Sequence, residues 1–453
     1  MRGPMARSGG PAGGHRRRMH ILYVYQFYNT PDCATTAKHY VYFRHLTAQG
    51  HRVSLVTSRT FLEQRLTHAF EWLPEGVDVH YVDVRYANEM GSAARLRAYA
   101  TYMVRALTAA LRFGRPDVVV GVSTPLTAAW AARQVARVRG VPWVFEVEDL
   151  WPDFPIQMGA IKSPLAQRVL RRAERALYRS ADHIIAHSPD MASHILAHGG
   201  TPERLTTLVN GTDFDLLDRV PEARLAELRA QHGLTAKKVV LYAGKYGRAN
   251  DIPLLIRAAE RLAGRDDVRF VFTGYGFLAP LVEEAAQRLP NVVALPGLPK
   301  HLALEWFRVA DLSLVSFIGL PILATNSPSK LYDSLGAGTP VIVTNPGWTK
   351  RLVERHGVGR YVPAGDADAL AAAIEEVFAD EAALAEMGRR GRALAEAEFD
   401  RAAHVRRVEA IFEAVVHGET LPPYHVAETP TARSAVLNGT AAELPEPADA
   451  LAR

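Results

Sequence analysis

Along most of the chain, short apolar, β-branched runs alternate with amphipathic stretches of helical period. The runs are HILYVY at 20–25, HRVSLVTS at 51–58, VDVHYVDV at 77–84, DVVVGVS at 117–123, PWVFEVE at 142–148 and HIIAHS at 183–188. A helical stretch at 35–48 joins the first two, and helical segments separate most of the others. Strands of this kind joined through helices predict a parallel sheet covered on both faces. After a polar stretch at 213–236 the alternation repeats: KVVLYAG at 238–244, VRFVFTG at 268–274, NVVALPG at 291–297, DLSLVSF at 311–317, TPVIVT at 339–344 and GRYVPAG at 359–365. The pattern predicts an α/β chain of two doubly wound, Rossmann-like parallel-sheet domains facing across a cleft, with ligands at the carboxyl ends of the strands. The expected boundaries are a first domain at 19–212, a linker at 213–236 and a second domain at 237–397.

The ends read differently. Residues 1–18 are Gly- and Arg-rich without a long apolar core, and residues 417–453 are rich in Pro, Ala and Glu without apolar periodicity, so both are expected to be disordered tails. The amino-terminal segment also explains the formal charge of +5: it holds five of the 53 Lys and Arg residues and no acid, and the 48 elsewhere match the 48 Asp and Glu. A neutral folded body argues against nucleic acid as a partner. Cys33 is the only cysteine, which excludes an internal disulfide framework and suits a cytoplasmic location. No run of 18 apolar residues is present to span a membrane.

Chemistry concentrates where strands end. Gly244-Lys245-Tyr246-Gly247-Arg248 follows one strand, and its glycines and cations suit a diphosphate; a solvated basic turn is the alternative. Thr273-Gly274-Tyr275-Gly276 ends the next strand with a second glycine pair. Asn326 to Pro340 (NSPSKLYDSLGAGTP) reads as a loop, a short helix and a strand entry. The backbone N–H groups at that helix start suit a phosphate, and Asp333 one turn inside suits the two hydroxyls of a ribose. The plainer account of Asp333 is a favourable charge near the helix N-terminus.

Pro328-Ser329-Lys330, Gly338-Thr339-Pro340, Val209-Asn-Gly-Thr-Asp213 and Gly365-Asp366, in this order, resemble the family-4 retaining glycosyltransferases of GT-B fold, in particular those of bacterial surface-polysaccharide synthesis. The similarity spans roughly residues 20–412. It implies transfer of a hexosyl or N-acetylhexosaminyl unit from a nucleotide-sugar, without a cofactor or bound metal. The implied acceptor is a lipid-linked saccharide or, as an alternative, a small-molecule aglycone. A nucleotide-sugar epimerase and a non-catalytic partner of another transferase are the competing functions. A helix at 398–416 is expected to cross back to the first domain.

On this resemblance the donor is held by Gly244, Lys245, Arg248, Gly274, Gly276, Pro328, Ser329, Lys330, Leu331 and Asp333. The family's paired acidic motif places a Glu eight residues before Asp333, where this chain has Thr325. Its Arg-X4-Lys pair maps to Lys245 and Asn250, so Arg248 becomes the candidate second cation. Glu148 and Asp149 fall where relatives carry a His-Asp pair facing the acceptor. Glu148 reads either as an acid orienting an acceptor hydroxyl or as half of a structural ion pair. Glu148, Asp149 and Lys245 are the catalytic candidates; Thr35, Thr36, Lys38 and Glu148 are the acceptor-side ones.

Asp366-Ala367-Asp368 reads as a helix cap rather than a metal site, and His183 and His187 as core or edge histidines. Arg168, Arg172, Arg175 and Arg179 line one face of a helix, with Leu165, Val169, Ala173 and Leu177 on another. Such a helix either packs on the sheet with a solvated cationic face or docks on anionic lipid. The second option would place the protein peripherally on the inner face of the membrane.

Overall fold

A computed structural model describes residues 18–87 and 90–421. The first sheet holds seven strands: β1 (His20–Val24), β2 (Arg52–Ser58), β3 (Val77–Val82), β4 (Val118–Ser123), β5 (Trp143–Val147), β6 (His183–Ala186) and β7 (Leu205–Thr207). The second holds six: β8 (Lys238–Lys245), β9 (Val268–Tyr275), β10 (Val292–Leu295), β11 (Leu312–Val315), β12 (Val341–Val343) and β13 (Gly359–Tyr361). Strand order is β3-β2-β1-β4-β5-β6-β7 in one and β10-β9-β8-β11-β12-β13 in the other, all parallel. In each sheet the order reverses beside the first strand, so the carboxyl ends of β1 and β4, and of β8 and β11, open the crevices where a ligand is expected.

Continuous burial explains the apolar runs. All six residues of β4 are buried, because helices cover both faces. On one face Leu22, Val119 and Phe145 pack with the helices Ser92–Ala110 and Leu126–Arg139. On the other, Tyr23, Val53 and Val120 meet the helices Lys38–Ala48 and Arg401–His417. That last helix returns from the second domain and buries Val405, Val408, Ile411 and Phe412 against the first. At roughly 1.5–3 kcal/mol per fully buried apolar side chain, these four anchor it firmly. Glu409 adds contacts to His45 at 2.8 Å and His51 at 3.1 Å.

The three-residue β7 has no run in the sequence long enough to mark it. Residues 213–236 carry the helices Phe214–Leu217 and Glu222–Gln231, whose Leu217, Leu225 and Leu228 are buried beside β8 residues Val239 and Leu241. The tails expected at 1–18 and 417–453 lie outside the described residues apart from Arg18 and residues 417–421. Cys33 is buried and unpaired. Among the described residues no helix is long and apolar enough to cross a membrane.

Candidate active site

The ends of β8 and β9 create the floor of a cavity. Tyr242 to Lys245 pair with Phe272 to Tyr275, which sets Gly244 beside Gly274. A Cβ on Gly274 would stand 1.9 Å from the Gly244 carbonyl oxygen, so only glycine lets these two turns touch. Gly244 has φ of 141°, and the Lys330 Nζ lies 3.1 Å from where its Cβ would be. The helix Ser329–Gly336 begins here, with Pro328 at its cap.

This cavity of about 80 Å³ is lined by Gly244, Gly274, Tyr275, Lys300, Ser329, Lys330 and Asp333 of the second domain, and by Ala34 and Thr35 of the first. Ligand pockets measure roughly 300–1,000 Å³, so a nucleotide-sized molecule enters only if the domains part. They touch here through the Lys300 N–H, which donates to the Cys33 carbonyl at 3.2 Å. Further out, Asn210 Nδ2 donates to the Ser327 carbonyl at 2.8 Å, and the Trp348 N–H to Asp190 at 2.9 Å.

Two of the acid–base groups at the cavity, Asp333 and Lys330, differ sharply. Asp333 is buried and already engaged: Thr212 donates to it at 2.9 Å and Lys300 forms a short ion pair with its other oxygen. Its place near a ribose, as expected from sequence, therefore competes with two protein donors. Lys330 is also buried, but its Nζ has no hydrogen-bond partner among the described residues and lies 3.8 Å above the Tyr242 ring. Burial pushes its pKa down to about 7.

A second cluster lies on the first domain at the end of β5. Lys38 is buried, and its Nζ meets Glu146 at 2.9 Å, Glu148 at 3.0 Å and His187 Nε2 at 2.6 Å. His187 Nδ1 faces the Leu208 carbonyl at 2.7 Å, and its Nε2 lies 3.1 Å from Glu146 as well, so the ammonium sits among two carboxylates and an imidazole. Burial alone would lower the Lys38 pKa, but the two carboxylates raise it above the usual lysine range. His39 holds the other Glu146 oxygen at 2.9 Å; burial opposes ionisation of Glu146, and His39 and Lys38 overcome it and keep the carboxyl well below its usual range. His39, Glu146 and Glu148 alone would suit a metal ion, but the Lys38 ammonium already bridges the two carboxylates. Asp149 accepts from Thr124 at 2.9 Å, yet burial pushes its carboxyl up, and the Glu148 charge adds to this.

The expected acceptor-side residues thus divide. Thr35 lines the cavity, Thr36 does not, and Lys38 is the buried counter-ion of Glu148 rather than an open contact. Glu148 makes the structural ion pair and still keeps 24% of its side-chain surface exposed. Of the donor residues, Gly244, Gly274, Ser329, Lys330 and Asp333 share the cavity. Lys245, at the end of β8, and Arg248, just after it, are exposed, with Arg248 stacked 5.0 Å over Phe277; Gly276, Pro328 and Leu331 do not line the cavity. Lys300, Tyr242, Glu146 and His39 were not singled out from sequence. A glutamate inside the apolar strand β5 was the signal for Glu146; Lys300 carries none beyond its place after β10.

Two family models match: a glycosyl transferase 4-like domain over residues 40–211 and a glycosyl transferases group 1 domain over residues 237–380. The chain belongs to the family-4 glycosyltransferases of GT-B fold. This glycosyltransferase is 26% identical over 373 residues to WcaI of Escherichia coli, covering 74% of this chain and 86% of that one; the name of WcaI assigns it to colanic acid biosynthesis. Its fold matches sucrose-phosphate synthase from Thermosynechococcus elongatus with a TM-score of 0.69 at 18% identity, over 89% of this chain and 100% of the other. It also matches HepE of Anabaena, solved with UDP and glucose, with a TM-score of 0.63 at 20% identity, over 88% and 100%.

Two departures from the family pattern find local explanations in the glycosyltransferase. Thr325 donates to the Ile322 carbonyl at 2.7 Å, and its own carbonyl accepts from Ser188 at 2.5 Å, so this residue joins the domains instead of offering a carboxylate. Asn250 turns back on its own loop, its N–H reaching the Gly247 carbonyl at 3.0 Å. Elsewhere, Asp366 caps the helix Ala367–Ala379 through the Ala369 N–H at 2.9 Å, and His183 is satisfied by Thr206 at 2.8 Å.

One expectation is corrected. Leu165 and Val169 do not pack inward; they are 69% and 59% exposed. The buried stripe of the helix Pro164–Ser180 runs through Glu174, Leu177 and Tyr178, and stepping back from Leu177 by helical spacing leads to Leu170 and Ala166, not to 165 and 169. Glu174 occupies the core because Tyr178 and His194 donate to it at 3.0 and 3.1 Å.

Proposed function

We propose that this glycosyltransferase moves a hexosyl or N-acetylhexosaminyl unit from a nucleoside diphosphate to the hydroxyl of a lipid-linked saccharide, with retention of anomeric configuration, in surface-polysaccharide synthesis. The observation that carries the donor assignment is the unpartnered Lys330 Nζ facing the cavity between Gly244, Gly274 and Ser329. Lys330, Lys245 and Arg248 would offset the charge that builds on the departing diphosphate, without a step assigned to a metal. Glu148, held by Lys38, would orient the acceptor hydroxyl, whose proton passes to a donor phosphate oxygen as the glycosidic bond breaks. The polysaccharide role draws on the name of WcaI, and the diphosphate on the UDP bound by HepE.

A membrane-facing acceptor also fits the surface of the first domain. The helices Ser92–Ala110, Leu126–Arg139 and Pro164–Ser180 pack side by side, and their only acid is the buried Glu174. Exposed Leu96, Val104, Val138, Leu165 and Val169 are spread over the three helices, and exposed Arg168, Arg172, Arg175 and Arg179 lie on the last of them. Apolar side chains among arginines favour an anionic bilayer at the cytoplasmic face.

The test is incubation with radiolabelled nucleotide-sugars and a bacterial lipid extract. Label passing into the lipid phase supports the proposal; an epimerised free sugar released from donor alone would replace transfer with epimerisation. Binding to phosphatidylglycerol vesicles should fall at least tenfold when Arg168, Arg172, Arg175 and Arg179 become Gln, and undiminished binding would remove the membrane assignment.

A further inference from the structure

Lys330 stands apart from every other buried cation of the cleft. Lys38 is paired with Glu146 and Glu148 and touches His187, and Lys300 is paired with Asp333. Lys330 is also buried, with no acceptor among the described residues. The groups around it leave it uncompensated. Tyr242 of β8 presents only its ring face, Tyr275 of β9 is held neutral by burial, the charge of Asp333 is taken by Lys300 and Thr212, and Lys300 itself is a cation. A protonated Lys330 would therefore sit in the cavity with a ring face as its sole favourable neighbour among the described residues.

We propose that Lys330 is an uncharged amine in the free protein and takes a proton from solvent when an anionic phosphate of the donor enters the cavity, so that donor binding and proton uptake are one event. The proposal rests on the donor assignment above. An amine that charges only in the presence of its partner avoids burying an unpaired ammonium while the site is empty, and gives a charged hydrogen bond once the phosphate is there. With the free group titrating at about 7, the uptake would be about 0.1 proton at pH 6, about 0.5 at pH 7 and about 0.9 at pH 8. Donor affinity would be about tenfold weaker at pH 8 than at pH 6.

The experiment is isothermal titration calorimetry of the full chain with UDP, GDP and dTDP at pH 6, 7 and 8, each in buffers of different ionisation enthalpy. The nucleotide's own terminal phosphate titrates near pH 6 and contributes equally to any protein form, so Lys330→Met serves as the reference. The expected result is an uptake rising towards one proton in the wild type, with that rise absent in Lys330→Met. Lys330→Arg, which stays charged, should bind without the loss of affinity between pH 6 and 8. Nucleotide binding with the same proton count in wild type and Lys330→Met would overturn the proposal and leave the donor assignment standing. No binding of any of the three by wild type would overturn both.

Discussion

Replacing Lys330 with methionine should make the free protein more stable, and the size of the gain should depend on pH in a defined way. An unfolded lysine titrates near 10.4, whereas the folded Lys330 titrates at about 7. Between these values the unfolded chain binds more protons than the folded one, so wild-type stability rises with pH across the window from 7 to about 10.4. Folding must shed the proton, which costs about 1.4 kcal/mol per pH unit below 10.4: about 3 kcal/mol at pH 8 and about 4–5 kcal/mol at pH 7, with little further increase at lower pH. Methionine keeps a flexible chain of similar reach without the charge and loses the contact with the Tyr242 ring, a term of about 0.5–2 kcal/mol. The net gain should be about 2–4 kcal/mol at pH 7, shrinking towards zero or below by pH 10. Urea denaturation of both proteins at pH 6, 7, 8 and 9 measures this directly, provided the m-values agree. A variant less stable than wild type at pH 7, or a gain that does not change between pH 7 and 9, would refute the assignment of Lys330 as a buried, unpaired amine.

The buried ion cluster behaves in the opposite way: Lys38→Met leaves Glu146 and Glu148 without their ammonium and should destabilise by about 3–5 kcal/mol. Adding Glu146→Gln should recover part of this, and a double-mutant cycle with no coupling would contradict the geometry. In acid, His183 and His404 are pushed down to about 4, by desolvation in the first place. The unfolded chain takes up their protons first, so stability should fall as pH drops from 6.5 to 4, by about 1.4 kcal/mol per unit for each histidine. His404→Phe should flatten that slope in acid denaturation curves, and an unchanged slope would exclude His404 as a contributor. Gly274→Ala should remove nucleotide binding in titration calorimetry, because its Cβ would stand 1.9 Å from the Gly244 carbonyl oxygen; retained affinity would show that the two turns do not form the floor of the site.

The two sheets were legible because parallel strands buried on both faces leave apolar runs that polar helix faces interrupt, as in DVVVGVS and VRFVFTG. β7 is Leu205-Thr206-Thr207, with one aliphatic residue and no such run to be read. The glycine turns at 244 and 274 and the Ser329–Lys330 helix start were visible as a pattern, since close backbone approach demands those residue types. What no pattern discloses is who neutralises whom. Asp333 and Lys300 lie 33 residues apart, Lys38 and Glu146 lie 108 apart, and only the packed chain shows that both pairs are internally satisfied while Lys330 is not. The helix Pro164–Ser180 is similar: its arginine face was evident, but its buried face includes Glu174, a residue whose charge assigns it to the surface.

The most direct test of the central claim, a nucleotide-sugar donor held at the carboxyl ends of β8 and β9, is thermal denaturation in the presence of UDP-, GDP- and dTDP-sugars. A ligand that binds only the folded state stabilises it by about 2.7 kcal/mol at a hundredfold excess over its Kd. At least one nucleotide class should raise the unfolding temperature of wild type and fail to do so for Gly274→Ala. If none of the three classes shifts the wild-type transition at millimolar concentration, the cavity around Lys330 is not a donor site.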